Sequence, residues 1–307
     1  MPRILNADRL ARITADVGEG PLWNVDSGWL SFVDIPRGRI HLCAEDGTLI
    51  GTHQLDRFVG AALPAASGGF LVADAEGFSR LAADGTCTPL LPFLAAREDL
   101  RLNDAKTDRA GRAFAGSMAY DKTAGAGSLY RLEPGPAVSK VFTGLTVSNG
   151  LGWSPDDAIF WFADSAVSQI AGFDYDIASG TVGAIRHRFA LQDTGDVPDG
   201  FCIDDEGCIW LALWGGWAIH RYTPAGVLDT IVKLPVRNVT SCAFGGADGA
   251  TLFITTARRG LSDGELRAQP EAGDLFALRP GVGGAAATPW CDHGSVPSIA
   301  SQKNRKF

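Results

Sequence analysis

The chain has 307 residues, 46% of them hydrophobic, enough to bury a large core. A formal charge of −8 leaves no basic patch for phosphate, which argues against a nucleic-acid partner. No apolar run nears the roughly 20 residues that span a bilayer, and the opening MPRILNADRLARITADVGEG lacks the apolar centre of a secretory signal, so a soluble cytoplasmic protein with no membrane partner is expected.

From residue 19 onward one unit keeps returning. Its first run reads EGPLWN at 19, GAALPAA at 60, NDAKTD at 103, NGLGWS at 149, DGFCID at 199 and TSCAFG at 240. A second run follows each: WLSFVDI at 29, FLVADAE at 70, AFAGSMA at 113, IFWFADS at 159, IWLALWG at 209 and LFITTAR at 252. These are short, rich in branched and aromatic residues, and bounded by turn formers, as strands are. The third runs close on Gly47, Gly85, Gly135, Gly180, Gly226 and Gly281, an average period of about 47 residues, close to that of propeller blades. Three strands per unit, with linkers able to hold a fourth, predict an all-β six-bladed β-propeller of four-stranded antiparallel blades, one domain over residues 1–307. RLARITAD at 9 is then expected to supply the outer strand of the last blade and close the ring. Helical periodicity is nearly absent, and PFLAAREDLRL at 92 is the best candidate for one helical turn or two.

In a propeller the first strand of each blade lines the central channel, so equivalent positions at the heads of these strands converge on one axis. That slot holds Glu19, Val59 or Gly60, Asn103, Asn149, Asp199 and Thr240. Glu19, Asn103, Asn149 and Asp199 form a hard oxygen set with no His or Cys, suited to a divalent cation. Gly20, Gly150 and Gly200 follow three of them and are expected to leave room near the axis. The plain alternative is that Asn-Gly and Asp-Gly are only turn signals.

Other motifs weigh little. GVGGAA at 281 matches a fragment of a dinucleotide loop without a βαβ context, and SPDD at 154 and DDEG at 204 match blade turns. His41, His53, His187, His220 and His293 have no ligand spacing, and the six cysteines, with no CxxC pair, read as free thiols. Trp214 and Trp217 either wall a sugar-sized pocket or pack between blades.

GEGPLW at 18, RLNDAKTDRAGRAFAGSM at 101, SNGLGWSPD at 148, PDGFCIDDEG at 198 and FITTAR at 253, in this order and spacing, resemble the SMP-30/gluconolactonase/regucalcin family over nearly the whole chain. ALWGGW and TTARRGLSD bring the resemblance closest to bacterial sugar-lactone hydrolases. It implies a metal-dependent lactonase acting on a small-molecule sugar lactone (glucono-, xylono-, arabino- or galactonolactone). Glu19, Asn149 and Asp199 would hold one divalent cation (calcium, zinc, manganese, magnesium or ferrous iron), with Asp199 as general base. Arg101 and Asn103 would contact substrate. Tyr120 stands where some members carry a substrate-contacting glutamate, which places it at the substrate and leaves the preferred lactone open. A hydrolase acting on other esters and a non-catalytic calcium-binding protein remain as alternatives.

Overall fold

Runs of branched and aromatic residues closed by Asp, Asn and Gly favour strands joined by tight turns. The computed structural model, which describes residues 1–133, 137–191 and 195–292, is built almost wholly of them. Gly135 and His293 lie outside the described residues.

Blade one comprises Gly18–Asn24, Trp29–Asp34, Arg39–Ala44 and Leu49–Gln54. Blade two comprises Val59–Pro64, Phe70–Asp74, Phe78–Leu81 and Cys87–Leu91. Leu100–Thr107, Ala113–Ala119, Gly127–Glu133 and Ala137–Leu145 make blade three. Ser148–Trp153, Ile159–Asp164, Gln169–Asp176 and Thr181–Ala190 make blade four. Blade five holds Val197–Ile203, Ile209–Trp214, Ala218–Tyr222 and Leu228–Lys233. A fifth strand, Arg3–Asn6, joins its outer edge in parallel, an addition the repeat pattern did not foresee.

Blade six takes Val239–Gly245, Thr251–Thr256 and Leu275–Leu278, and its outer strand is Asp8–Ala11 from the start of the chain. That is the closure expected of RLARITAD, begun one residue earlier. First strands are almost wholly buried and outermost strands largely exposed. Each first strand packs on that of the next blade, and the sixth packs on the first. The ring is a six-bladed propeller.

The core lies between blade faces. Trp23 of blade one, for example, stacks on Phe253 of blade six with ring centroids 5.7 Å apart, and burying such a side chain stabilises the fold by about 1.5–3 kcal/mol.

The helix expected near residue 92 is not there. Ala95 N–H bonds Pro92 O, Arg97 N–H bonds Leu94 O and Leu100 N–H bonds Arg97 O, all three residues apart, so the segment is a chain of turns that inserts Leu94 into the core. A six-residue helix occurs instead at Asp263–Ala268, started by a capping box in which Ser262 and Glu265 satisfy each other's backbone N–H groups. Among the described residues no helix is long and apolar enough to cross a membrane.

Beyond blade six the chain runs as a strap across one end of the ring. Asp205 N–H bonds Gly283 O, Gly284 N–H bonds Gly249 O, Thr107 Oγ1 donates to Thr288 O, Trp290 N–H bonds Pro64 O, and Cys291 N–H bonds Gly111 O. GVGGAA begins this strap. A Cβ at Gly284 would fall 2.5 Å from the Phe244 ring, which is why the segment is small-residue-rich here.

Candidate metal and substrate site

In all six blades the pairing of first and second strands slips at one place. The slips fall between Glu19 and Leu22, Val59 and Ala61, Leu102 and Ala105, Asn149 and Leu151, Pro198 and Phe201, and Val239 and Ser241. A bulge leaves residues unpaired and re-aims a side chain off the strict alternation of a strand. The recurring slot is therefore a recurring bulge at the head of each inner strand.

Four slot residues meet. Glu19, Asn103, Asn149 and Asp199, all buried, line one cavity of about 770 Å³ together with Arg101, Tyr120, Lys122, Trp214 and Arg259. Thr240 does not join them: its hydroxyl donates to Gly18 O at 2.6 Å, tying blade six to blade one, and lies 2.9 Å from Thr255 Oγ1. Val59 and Gly60 are absent from the lining, where Phe58 stands instead. Gly150 and Gly200 serve a different purpose from the one expected, whereas a Cβ on Gly20 would meet nothing nearer than Ala61 Cβ at 3.8 Å. A Cβ on Gly150 would lie 2.2 Å from the Phe201 ring, and one on Gly200 would lie 2.3 Å from Ser241 Oγ. Their missing side chains admit the next blade, not a ligand.

The floor is electrostatically frustrated. Burial pushes the Asp199 carboxyl up to about 8, with Asp104 adding repulsion and the Asn149 amide opposing it. Burial first, then Asp199 and Asp104, push Glu19 well above the usual carboxylate range, against a bond from Gly20 N–H at 2.9 Å. Asn149 Nδ2 donates to Asp199 Oδ1 and, at 3.0 Å, to Ser165 Oγ, while its Oδ1 is buried without a partner. Two buried carboxyls held above the usual carboxylate range beside an orphaned carbonyl oxygen suit a divalent cation. Asn103 differs: its Oδ1 accepts from Arg101 Nη1 at 2.7 Å and its Nδ2 donates to Ser148 O at 2.9 Å, so its oxygen already faces a cation. Burial holds the Arg101 guanidinium down at about 10.

Asp104 escaped the sequence reading. It is Asn103's neighbour in the same bulge, 5% exposed, and neither carboxylate oxygen has a partner. Burial raises its pKa, offset in part by the Lys106 ammonium. The one available signal was an acid beside the slot residue, where Glu19, Asn149 and Asp199 are each followed by glycine.

Tyr120 sits at the mouth, 42% exposed, its ring edge-on to Phe58 at 5.2 Å. Trp214 lines the cavity, whereas Trp217 lies exposed in the following turn with a left-handed φ of 58°. His41 bonds Thr52 Oγ1 and His220 bonds Tyr222 Oη, both away from the cavity. Cys43, Cys87, Cys202, Cys208 and Cys242 are free thiols, and Cys202 and Cys242 approach to 3.5 Å between Sγ atoms. Asp204, Glu206 and Cys208 cluster at a blade turn, but Asp204 already accepts from Glu206 N–H, Cys208 N–H, Trp210 Nε1 and Arg221, which makes this group an ion-paired structural node.

Residues 17–258 match the family described as SMP-30/Gluconolactonase/LRE-like region. Regucalcin of Oryctolagus cuniculus is 38% identical over 269 residues, spanning 85% of this chain and 90% of that protein. Among solved structures, a calcium-binding protein, regucalcin, from Agrobacterium tumefaciens superposes with a TM-score of 0.88 at 25% identity, covering 94% of this chain and 99% of that one. A luciferin-regenerating enzyme gives 0.83 at 28% identity over 91% and 96%. The chain belongs to the SMP-30/gluconolactonase/regucalcin family.

Proposed function

We propose that this chain hydrolyses a sugar lactone to the open aldonic acid, using one divalent cation held by Glu19, Asn149 and Asp199. The observation that carries the reading is the buried Glu19–Asp199 pair facing the partnerless Oδ1 of Asn149, three hard donors gathered from three blades. Membership of a family whose description includes gluconolactonase supports it. When bound, the cation supplies Lewis-acid polarisation of the ester carbonyl. Asp199 is the general base: Asn149 Nδ2 steadies one oxygen, and the other takes a proton from the attacking water. As the ring ester opens, Asp199 returns that proton to the departing ring oxygen, which becomes a hydroxyl. Arg101 fixes Asn103, and the two orient the sugar hydroxyls; a misplacement of about 1 Å costs on the order of 100-fold in rate. Tyr120 and Trp214 offer aromatic faces to the apolar side of a sugar ring.

The test is acid release, followed with a pH indicator, from glucono-, xylono-, arabino- and galactonolactone by enzyme stripped with EDTA and then restored with calcium, zinc, manganese, magnesium or ferrous iron. Release that stops on stripping and returns with a metal is expected. Calcium binding without release from any lactone would leave the ion-binding reading, which rests on the same three donors and on the calcium-binding description of the Agrobacterium relative.

A further inference from the structure

The acids of the cavity lie at its floor, and its cations spread from there to its mouth. Glu19 and Asp199 are 7% and 6% exposed. Arg101 is the deepest cation, and among the described residues no carboxylate oxygen lies within 4.0 Å of its guanidinium, whose Nη1 bonds only to Leu102 O and Asn103 Oδ1. Arg259 lines the same cavity close enough to repel it. Asp16 holds one edge of Arg259, with Nη2 to Oδ2 at 2.8 Å, but the Arg259 side chain stays 52% exposed. Lys122 is a third cation on the lining, without an ion pair among the described residues and near enough to act on Asp199. Its backbone is fixed in the left-handed region, φ 60°, by a turn in which its N–H bonds Ala119 O.

Glu19 and Asp199 attract this half-buried guanidinium from beyond ion-pair distance while Arg259 repels it, so its pairing is left for a ligand with negative charge to complete. One cation beside the floor would serve charge that develops on a reacting ester. Three, strung outward over a cavity of about 770 Å³, exceed that need, and the space exceeds that of a bare sugar ring. We infer that the preferred substrate is a lactone bearing a second, oxyanionic substituent, a carboxylate or a phosphate remote from the ring ester, held by Arg101, Arg259 and Lys122. The inference rests on the lactonase reading and narrows it. Guanidinium groups recognise both oxyanions through paired N–H bonds, so the two sources share one chemistry.

The test compares kcat/KM for glucono-1,5-lactone, glucaro-1,4-lactone and 6-phosphoglucono-1,5-lactone with metal-loaded enzyme, at about 20 mM and about 300 mM salt. At low salt, kcat/KM for at least one acidic lactone is expected to exceed that for the neutral one by about tenfold or more. The ratio should shrink with salt, as screened attraction does, and the larger of the two acidic values identifies the oxyanion. Arg259→Gln and Lys122→Met should each lower the acidic-to-neutral ratio by several-fold. Independently of turnover, calorimetric titration of the metal-free protein should show glucarate, the open diacid, binding more tightly than gluconate, with the difference lost in Arg259→Gln. Equal or faster hydrolysis of the neutral lactone, or equal binding of the two acids, overturns the inference and leaves the lactonase reading standing. No acid release from any lactone overturns the lactonase reading instead, while a glucarate preference in the titration would still support the anion site.

Discussion

The same six inner strands end in two different ways. At their heads lie bulges, carboxylates that repel one another, an orphaned amide oxygen and an open mouth. At their tails, Leu22, Trp23, Gly152, Trp153, Ile203 and Phe244 surround a cavity of only about 130 Å³, covered by Ala285–Thr288 of the strap. The head holds the partnerless Asp104 carboxylate, whereas at the tail the charged Arg109 and Asp157 pair with each other at 2.6 Å. The contrast teaches that one set of strands can carry stability at one end and chemistry at the other, because packing at the tails holds the strained heads in place.

The largest effect expected from breaking this contrast is at the head. Asp199→Asn should lower lactone turnover by about 10²- to 10⁴-fold, the range for losing a general base, with no loss of thermal stability in the metal-free protein, because a neutral amide replaces a carboxyl that burial already keeps protonated up to about pH 8. Indicator-based rates together with a melting curve check both halves; near-normal turnover would reassign the base.

At the tail the balance should invert. Phe244→Ala empties a side chain that is 2% exposed and packed edge-on to Trp210 at 5.8 Å, so it should destabilise by about 3–5 kcal/mol. Denaturant titration measures this, and metal affinity of the protein that remains folded should be close to that of the parent.

The pH dependence of the metal-free protein sharpens the contrast further. With Asp199 pushed up to about 8 in the folded state, the fold retains a proton there that the unfolded chain releases near the ordinary aspartate value of 3.8. This contribution to stability is therefore complete below about pH 4 and is lost as pH rises through about 8. Since the cation competes with that proton, its affinity should rise over the same interval. Urea unfolding at pH 5 and pH 8, with and without calcium, reads both trends. A metal-free protein more stable at pH 8 than Asp199→Asn would contradict the assigned shift.

The smallest effect concerns Asp104. Replacing this partnerless carboxylate with Asn should stabilise the metal-free protein by about 1–2 kcal/mol, since an unpaired buried charge is removed. It should also weaken cation binding by a few-fold, because the floor loses one of its negative charges. Loss of stability on that change would mean that Asp104 has a structural partner.

The ring was legible because each blade repeats one motif and one closing turn, and the four floor residues were legible because they share a slot in that repeat. What was missed follows from what periodicity measures. Asp104 follows Asn103, and strict alternation would aim the two at opposite faces; only the bulge between Leu102 and Ala105 takes both out of the pairing. Room beside Gly150 and Gly200 could not be judged without the neighbouring blade's Phe201 and Ser241. The real helix is six residues long, too short for an apolar period, and its Ser262–Glu265 capping box was the readable sign. PFLAAREDLRL, by contrast, has helix-like spacing that Leu94 satisfies from a series of turns. The strap carries no period at all, because it is held by hydrogen bonds to the turns and strand ends of four different blades.

That strap has a kinetic meaning. Ala285–Thr288 line the cavity on the far side, so among the described residues the lined way in to Glu19 and Asp199, and out again, runs past Tyr120, Lys122 and Arg259. Arrivals and departures share a single doorway, so accumulating product is expected to obstruct fresh substrate directly at that threshold.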